Sequence, residues 1–588
     1  MSAITEAHIL YDSGKKEEAK KNLLKIIEDH FFDVDSEIFF FLGKIFLEEN
    51  NSISGKFYLE KFLDKSSDTK SILEVSIVYL NNGLYEDLII LLNDQIKLNG
   101  INKEFFYYKS RAFHYLGKTW LALININKAI KLDNEYIEAH FVRLSYFPYI
   151  YKTNNEIRKF RLYYEKNLDL FIDKFINKKK ITEEDSILIT SKVTNFLLAY
   201  QGLNDKDLQM KYSKILSYFL SFIKIPNKIV KTSSKINIGF VTYFFHQHTI
   251  TNLFKNWILN LDKNIFNISI FNCGPLEDEV THHIKQFAHN YYQCTFLNDQ
   301  INKIIKESLD IIIFFDMGMS AQTQLLSVAK LAKYQFIAWG HPITTGSNKI
   351  DYYLSSELME GDNSQNFYTE KLIKLKDIGI NYDFSAIKNT DIDSNTENEQ
   401  HNFICLQNLR KIIPDNDQII CKVLSLGMGL SFFSDKINYI NSHFYKRIEK
   451  NAKKNNINVE NSINFIQPCS RSKFLQILNN SKVVLDTIGW SGGNTHLEAL
   501  YLNKPIVTMS GKYLRSNHTF AFLKLIKVEE LIAKDENQYL KIAQNLIVDE
   551  DYRLFIINKI KTNKNLLFQN KNSSFNEFIL NFTKLNKI

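Results

Sequence analysis

The chain has 588 residues, 45% of them hydrophobic, which at about 150 residues per domain predicts three or four domains. Its net charge of +8, from 73 basic and 65 acidic residues, is small for this length and does not indicate nucleic-acid binding. Five widely spaced cysteines, no apolar leader and no run of about 18 apolar residues argue against a disulfide scaffold, a zinc site, a secretion signal and a membrane span. We therefore expect a cytoplasmic protein.

From the N-terminus to about residue 175 the pattern is helical, and glycines recur at a regular interval. Gly83 and Gly117 are 34 residues apart, and Gly14 lies 69 residues before Gly83, with the segment FLEEN in the empty middle slot. Small residues, Ala19 and Ala122, follow the outer two glycines at equal spacing. A period of about 34 residues is typical of tetratricopeptide repeats, which stack into an α-solenoid and bind peptides or partner proteins. An unrelated all-helical domain is the alternative.

After the repeats (1–175) and a helical connector (176–234), the pattern changes to α/β. Short β-branched and aromatic runs such as INIGFVTYFF and DIIIFFDMG alternate with helical stretches, which indicates βα units and a parallel sheet. A polar stretch at 385–402 reads as a linker, and NFICLQ, INFIQP and KVVLDT begin a second alternation. We expect two Rossmann-like lobes, 235–395 and 396–588, the second with C-terminal helices, and ligands beyond the carboxyl ends of the strands.

The segment VVLDTIGWSGGNTHLEAL is the strongest motif in the second lobe. A predicted strand ends at Asp486, and Gly492 and Gly493 precede a helical pattern. Glycines allow close backbone approach, and the free N–H groups of a helix start favour an anion such as a phosphate. However, Thr495 and Glu498 also have the spacing of a capping box, in which the glutamate only satisfies backbone donors. From the motif alone the two interpretations are evenly matched.

Further polar groups follow other predicted strands. Lys411, in CLQNLRKIIPD, could offset the charge of a pyrophosphate, although an isolated lysine is more often a solvated surface residue. His246 and His248 lie between a strand and an amphipathic helix, where a histidine can act as a general base or simply begin the helix. Arg515 and His518, in SGKYLRSNHT, are available to an anion, and the loop WGHPITTG is either an ordinary turn or one lip of the cleft.

Taken in order, three segments resemble glycosyltransferase family 41, the family of O-linked N-acetylglucosamine transferase and SPINDLY, and in particular its bacterial members. They are IGFVTYFFHQHTITNLFKNWI, the run from DMGMSAQTQ to DYYLSSELME, and LDTIGWSGGNTHLEALYLNKPIVTMSGKYLRSNHT. The resemblance covers about residues 236–535, and upstream tetratricopeptide repeats are the arrangement expected of that family.

This resemblance implies a GT-B fold whose second lobe holds a nucleotide-sugar donor. It implies that Lys411 contacts the donor diphosphate and that His248 is the active-site histidine of the first lobe. The other matched positions are Gln407 and Asn408, which line the donor site; Gly493, Asn494 and Thr495, which hold the phosphates; Glu498, which reaches the ribose; and His341, Pro342, Thr344, Thr345 and Gly346 of GHPITTG, which border the sugar and acceptor.

The expected reaction is an inverting displacement that needs no metal cofactor. Lys411, the amides of Gly492–Thr495 and the helix dipole would stabilise the departing nucleoside diphosphate. His248 would act as base or orient the acceptor, with His246 and Asp316 as second choices. The carboxylates of Asp391 and Asp393 have metal-binding spacing, but they lie in the polar linker, where a solvated loop is favoured.

Some positions differ from the family. Gly493 stands where the animal enzyme has a histidine, Asn494 and Thr495 where it has two threonines, and Phe474 where it has another histidine. These differences leave the donor sugar, the base and the linkage atom open. The leading hypothesis is transfer of N-acetylglucosamine from a UDP-linked donor to Ser or Thr of a polypeptide bound by the repeats. Glucosyl or fucosyl transfer to a protein, small molecule or glycan, and a non-catalytic repeat scaffold, are the alternatives.

Overall fold

A computed structural model describes residues 3–30, 34–190, 193–226, 234–384, 387, 401–460, 462–568 and 574–588. The chain divides into two compact units, Met1–Tyr146 and Phe147–Ile588. The predicted linker at 385–402, including Asp391 and Asp393, lies almost wholly outside the described residues. None of the helices within the described ranges has the length and apolarity needed to cross a bilayer.

The first unit is all helical, and its first eight helices pair in chain order as four hairpins. This confirms the predicted repeat fold. Its helices are α1 (Ala3–Asp12), α2 (Lys16–His30), α3 (Ser36–Glu48), α4 (Ser52–Lys65), α5 (Thr69–Asn81), α6 (Tyr85–Asn99), α7 (Lys103–Tyr115), α8 (Thr119–Leu132) and α9 (Ile137–Arg143).

The recurring glycines lie in the turns inside three of the hairpins. Gly14, Gly83 and Gly117 have φ angles of 85°, 75° and 75°, a left-handed conformation that glycine adopts without steric cost. In the second hairpin the same place is taken by Asn50, the last residue of FLEEN, with φ 61°. Asparagine tolerates this conformation better than most residues, which explains why this repeat keeps its turn without the glycine.

The next helices pack within the second unit, so the repeat region predicted to residue 175 extends past the end of the first unit at Tyr146. Gln324, on the first lobe, donates to the Asn195 side-chain oxygen at 2.9 Å. The helices are α10 (Asn154–Phe171), which continues as a π-helix (Ile172–Ile176), α11 (Glu183–Thr190), a 3₁₀ helix (Phe196–Gln201) and α12 (Lys206–Leu220).

The first lobe is built on a seven-stranded parallel sheet of order β3-β2-β1-β4-β5-β6-β7. Its strands are β1 (Ile236–Thr242), β2 (Phe266–Asn272), β3 (Asn290–Gln293), β4 (Ile311–Phe314), β5 (Tyr334–Ala338), β6 (Tyr352–Ser356) and β7 (Lys371–Leu375). Its helices are α13 (Thr249–Leu259), α14 (Glu279–Phe287), α15 (Leu297–Lys306), α16 (Ala321–Leu326) and a 3₁₀ helix (Ser364–Phe367).

The second lobe has a six-stranded parallel sheet of order β10-β9-β8-β11-β12-β13. Its strands are β8 (His401–Cys405), β9 (Leu430–Phe433), β10 (Ile463–Ile466), β11 (Ser481–Leu485), β12 (Ile506–Met509) and β13 (Ile532–Ala533). Its helices are α17 (Asp417–Leu424), α18 (Asn438–Lys454), α19 (Arg471–Asn479), α20 (Asn494–Tyr501), α21 (His518–Leu525), α22 (Glu536–Val548), α23 (Glu550–Asn563) and α24 (Asn565–Phe568), with 3₁₀ helices at Leu409–Lys411, Pro414–Asn416, Leu514–Ser516 and Glu529–Leu531.

Both sheets share the Rossmann strand order, counted from the first strand of each lobe. The order of strands reverses between β1 and β4 in the first sheet and between β8 and β11 in the second. A crevice opens at such a switch point, beyond the carboxyl ends of the strands, and it is where ligands bind in sheets of this kind. The predicted two Rossmann-like lobes are confirmed, and their switch points identify the loops to inspect.

The last helix, α25 (Ser574–Leu585), packs against the first lobe, although the sequence pattern places it with the second. Phe575 stacks on Trp257 with ring centroids 4.4 Å apart, and Phe582 lies 5.1 Å from Phe336 of β5. An amphipathic helix packs its apolar side against an exposed apolar surface elsewhere in the protein. The sequence of the helix does not reveal which lobe offers that surface.

Candidate active site at the switch points

Several of the predicted site residues lie in the loops that leave the switch-point strands, whereas the loop GHPITTG follows β5 and Arg515 follows β12. His246 and His248 follow β1, and Lys411 follows β8 by way of the 3₁₀ helix Leu409–Lys411. The loop from Asp486 to Gly493 joins β11 to α20. Residues separated by more than two hundred positions thus belong to the two crevice-forming edges of one unit.

Lys411 lies against aromatic rings and has no carboxylate partner among the described residues. Its Nζ is 4.9 Å from the ring centroid of Trp490 and 5.7 Å from that of Tyr200. Trp490 packs with Ile343 of the first lobe, so this lysine belongs to a place where both lobes meet. Burial lowers the pKa of Lys411 to about 8 because the charged form loses water. An ammonium group in this setting favours an incoming anion.

Three buried histidines surround this lysine closely enough for its charge to lower the pKa of each. Burial is the main cause for all three, and it lowers the pKa of His341 to about 3 and that of His518 to about 4. The pKa of His496 is lowered as well. The Nε2 atom of each ring has no hydrogen-bond partner among the described residues. The lowered pKa values favour the neutral form of all three rings at pH 7, and each ring keeps one buried polar atom without a partner among the described residues.

His496 is a residue that sequence reasoning missed. It sits inside the motif GGNTHLEAL, but a single histidine on a helix gives no signal of its own. Its Nδ1 lies 2.6 Å from the Thr519 hydroxyl, and a Cβ added to Gly492 would lie 2.3 Å from its ring. Any side chain at position 492 would clash with the His496 ring, so this packing requires glycine there.

The Asp486 carboxylate organises the loop between β11 and α20. Its two oxygens accept from the N–H groups of Thr487 (2.9 Å) and Gly492 (3.0 Å) and from the hydroxyls of Ser491 (2.6 Å) and Thr508 (2.7 Å). The prediction that the Gly492 amide faces a phosphate is wrong, because this N–H already donates to Asp486.

The start of α20 leaves three backbone donors open. Among the described residues, no acceptor is bound to the N–H groups of Gly493, Asn494 or Thr495. Gly493 is the N-cap, and a Cβ added there would meet nothing within 4 Å. The alternative capping box is wrong, because the helix begins before Thr495 and no side chain caps it. These donors and the helix dipole favour an anion.

Glu498, the residue matched to a ribose contact, is buried and already paired. Both of its oxygens accept from Arg471, at 2.8 Å and 2.6 Å, and one also accepts from the Asn494 amide. Its contact with a ribose stays a prediction. Of the two residues before Lys411, Gln407 is buried, while Asn408 is exposed and its side chain caps the 3₁₀ helix through the Arg410 N–H at 3.0 Å.

Arg515 lies among polar groups that already offset its charge. Its guanidinium is 3.4 Å from the Asp205 carboxylate and donates to the Leu203 carbonyl at 2.5 Å. With Pro342, Thr344 and neighbouring side chains it lines a narrow crevice between the lobes. Its role as an anion contact stays a prediction, and Lys411 is the stronger candidate because it has no such partner.

In the first lobe, His248 is the N-cap of α13. Its Nδ1 accepts from the Ile250 N–H at 3.2 Å, and its ring stacks on Phe244 with centroids 4.2 Å apart. Burial, with a smaller contribution from His246, lowers the pKa of His248 to about 4. Because the lone pair of Nδ1 is used by the helix, the proton of the neutral ring is on Nε2. His248 is therefore arranged to donate a hydrogen bond rather than to accept a proton.

The two second choices for the base have different surroundings. The Nδ1 atom of His246 is buried and has no partner among the described residues. Asp316 is fully buried, and it accepts from the hydroxyls of Thr242 and, at 3.5 Å, of Thr323. Burial raises the pKa of Asp316 to about 6. Its contacts join β1 to β4, and they indicate a structural role.

The loop GHPITTG is held in place by a buried carboxylate. Glu370 accepts from the Thr344 hydroxyl at 2.6 Å, and from the N–H of Thr345 at 2.8 Å together with its hydroxyl. Gly346 has φ 72°, and a Cβ on it would lie 2.2 Å from the backbone of Gln209 in α12. The two threonines are thus committed to shaping the loop, and His341 is the member with a free polar atom.

Within the described ranges, no group of three or more His, Cys, Asp or Glu side chains is placed to hold a metal ion. Asp391 and Asp393, the pair with metal-binding spacing, lie outside those ranges.

Comparisons with known proteins agree with the family resemblance seen in the sequence. The sequence model of glycosyl transferase family 41 matches residues 436–576. The chain is 21% identical over 371 residues to the probable UDP-N-acetylglucosamine–peptide N-acetylglucosaminyltransferase SPINDLY of Arabidopsis thaliana, covering 59% of this chain and 39% of the relative. It is 25% identical over 261 residues to the protein of the same description from Hordeum vulgare, covering 42% and 26%. The chain thus spans less than half the length of these relatives.

Among solved structures, the chain is similar to a mutant of the Thermobaculum terrenum O-GlcNAc transferase. The TM-score is 0.64 at 16% sequence identity, and the match covers 94% of this chain and 97% of that one. At this identity the likeness shows a shared fold.

Proposed function

We propose that this chain, whose residues 436–576 match the model of glycosyl transferase family 41, transfers a sugar from a nucleotide-sugar donor to a polypeptide. The observation that carries the proposal is Lys411, an ammonium against aromatic rings with no carboxylate partner among the described residues. Along the loop that carries Trp490, three open N–H groups begin α20. In this proposal one diphosphate binds both features.

In this proposal the acceptor oxygen attacks the anomeric carbon while the bond from that carbon to the diphosphate breaks, with inversion. Negative charge grows on the departing diphosphate, and it is stabilised by Lys411, the N–H groups of Gly493–Thr495 and the dipole of α20. Donors placed in advance where charge develops lower the barrier without reorganisation. We propose that they suffice without a metal ion.

His248 would donate its Nε2 proton in a hydrogen bond to an oxygen of the donor sugar or acceptor, and so orient it. A phosphate oxygen, with a second pKa of about 6, is a stronger base than an imidazole with a pKa of about 4. The proton of the acceptor would therefore pass to the departing diphosphate. In this assignment the departing diphosphate, and not His248, is the base. His248 stays at the reaction centre as a hydrogen-bond donor.

The names of the relatives support a UDP-linked donor of N-acetylglucosamine and a peptide acceptor. We propose this pair for the chain, with the helical repeats as the acceptor-binding part and the cytoplasm as the location. Glucosyl or fucosyl transfer would use the same diphosphate site. A comparison of different donor sugars distinguishes these alternatives from transfer of N-acetylglucosamine. A non-catalytic scaffold is the competing proposal, and it requires no nucleotide at all.

The test is a thermal-shift and calorimetric panel of UDP, GDP and their sugars, followed by donor hydrolysis assays. A ligand at 100 times its dissociation constant adds about 2.7 kcal/mol of stability. We expect stabilisation by UDP and UDP-sugars in the wild type and none in Lys411→Met. Absence of stabilisation by every nucleotide in the folded wild type would instead support the scaffold.

A further inference from the structure

Residues 378–384, called here the interlobe strap, follow β7 and touch the helices that begin at both candidate sites. On the first-lobe side the strap is held by α13, the helix capped by His248. Three consecutive side chains of α13 make these contacts: Lys255 with the Asp383 carboxylate at 2.5 Å, Asn256 with the Asn381 carbonyl at 2.7 Å, and Trp257 with the Gly379 carbonyl at 3.0 Å.

On the second-lobe side the strap is held by α20. Phe384 stacks on Tyr501 of that helix, with centroids 4.7 Å apart and planes 6° apart, and it also packs on Phe568. The buried hydroxyl of Tyr382 donates to the side-chain oxygen of Asn494. Asn494 is the first residue of α20 and carries one of the three open N–H groups.

The bond from Tyr382 fixes which way the Asn494 amide faces. Its oxygen accepts from the tyrosine, so its NH₂ group faces Glu498, to which it donates. Glu498 is held in turn by two bonds from Arg471. Without the tyrosine hydroxyl, the Asn494 oxygen loses its donor in this chain of bonds, and the amide is held there by its bond to Glu498 alone.

We propose that Tyr382 is a positioning residue for the donor: it acts through Asn494 to hold the start of α20 in the orientation that receives the diphosphate. The proposal rests on the proposed function. Tyr382 belongs to a strap packed on the His248 helix, so it also couples the diphosphate site to the position of the first lobe. Its hydroxyl needs no contact with the substrate.

The test is calorimetric binding of UDP and steady-state kinetics with the UDP-sugar identified by the panel above. Tyr382→Phe keeps the ring and its packing on Phe384 but removes the hydroxyl. We expect the UDP Kd and the donor KM to rise about 3- to 10-fold, because loss of this hydrogen bond lowers the fraction of the free protein in which α20 begins in the competent orientation, with kcat changed less than about twofold. Tyr292→Phe removes a tyrosine bond to Glu307 at the edge of the first sheet and should leave Kd and KM unchanged.

A double-mutant cycle separates positioning from a general loss of structure. If Tyr382 acts through Asn494, then Tyr382→Phe adds less than about twofold to the UDP Kd in the Asn494→Ala background. An equal effect in both backgrounds, or an unchanged Kd in Tyr382→Phe, overturns the proposal. A wild type that binds no nucleotide overturns the proposed function instead, so the two failures are distinguishable.

Discussion

Lys411→Met should stabilise the unliganded protein while removing its response to nucleotide. Burial lowers the pKa of Lys411 from 10.5 to about 8. A tenfold change in proton binding is worth about 1.4 kcal/mol, so the charged form carries a folding cost of about 3 kcal/mol. The ammonium–ring contacts with Trp490 and Tyr200 return about 1 kcal/mol, and partial solvent access reduces the cost further. We expect the variant to be more stable at pH 7 by about 1–2 kcal/mol.

The pH dependence provides an independent check of this reasoning. Between pH 8 and 10.5 the unfolded chain keeps the lysine proton and the folded chain releases it, because the folded pKa of Lys411 is the lower one. Stability rises with pH wherever the unfolded state binds more protons. The cost is therefore fully present below about pH 8 and fades above it, so the advantage of Lys411→Met should shrink towards pH 10.5.

The assay is urea unfolding of the wild type and of two variants, each with and without saturating UDP. Lys504→Met is the matched control, because burial also lowers the pKa of Lys504 to about 8, but its ammonium donates to the Asn479 carbonyl. Only Lys411→Met should lose the stabilisation by UDP. A variant less stable than wild type at pH 7, or one that keeps the full UDP response, would refute the assignment of Lys411 as an anion site.

The remaining predictions concern the histidine, the loop and the metal. His248→Asn keeps an N-capping side chain, so its free energy of unfolding should stay within about 0.5 kcal/mol of wild type, whereas that of His248→Ala should fall by about 1 kcal/mol. Both variants remove the Nε2–H donor and should lower kcat at least about 10-fold. Since the pKa of His248 is about 4, the ratio of wild-type to His248→Asn kcat should stay constant from pH 6 to 8, and a ratio that climbs with pH would restore the base role. Asp486→Asn cannot accept the four bonds of the carboxylate and should cost about 2–4 kcal/mol in urea unfolding; a loss below 1 kcal/mol would contradict that account. Transfer should continue in excess EDTA, and activity that returns only with added Mg²⁺ would disprove metal independence.

Local features of this fold could be predicted from the sequence. The repeat period, the alternation of strands and helices, and the strand-to-helix position of the glycine motif all depend on neighbouring residues. The second repeat shows the limit, since Asn50 supplies the left-handed turn that a search for glycine misses. The physical requirement there is a backbone conformation, which more than one residue type can meet.

The features that could not be predicted depend on contacts between distant residues. The sequence does not show that the Gly492 N–H is taken by Asp486, or that His496 fills the space beside that glycine. It gives no sign that Tyr382 reaches Asn494, because the two residues are 112 positions apart. Such pairings are decided by how the lobes pack, which periodicity and motif spacing do not encode.

The central claim, sugar transfer to a polypeptide, is tested most directly by mass spectrometry of proteins co-expressed with the chain. Wild type should add N-acetylhexosamine, hexose or deoxyhexose to Ser, Thr or Asn side chains, and the same proteins should stay unmodified with Lys411→Met. Identical spectra from the two samples, with the wild type folded and able to bind UDP, would contradict the claim.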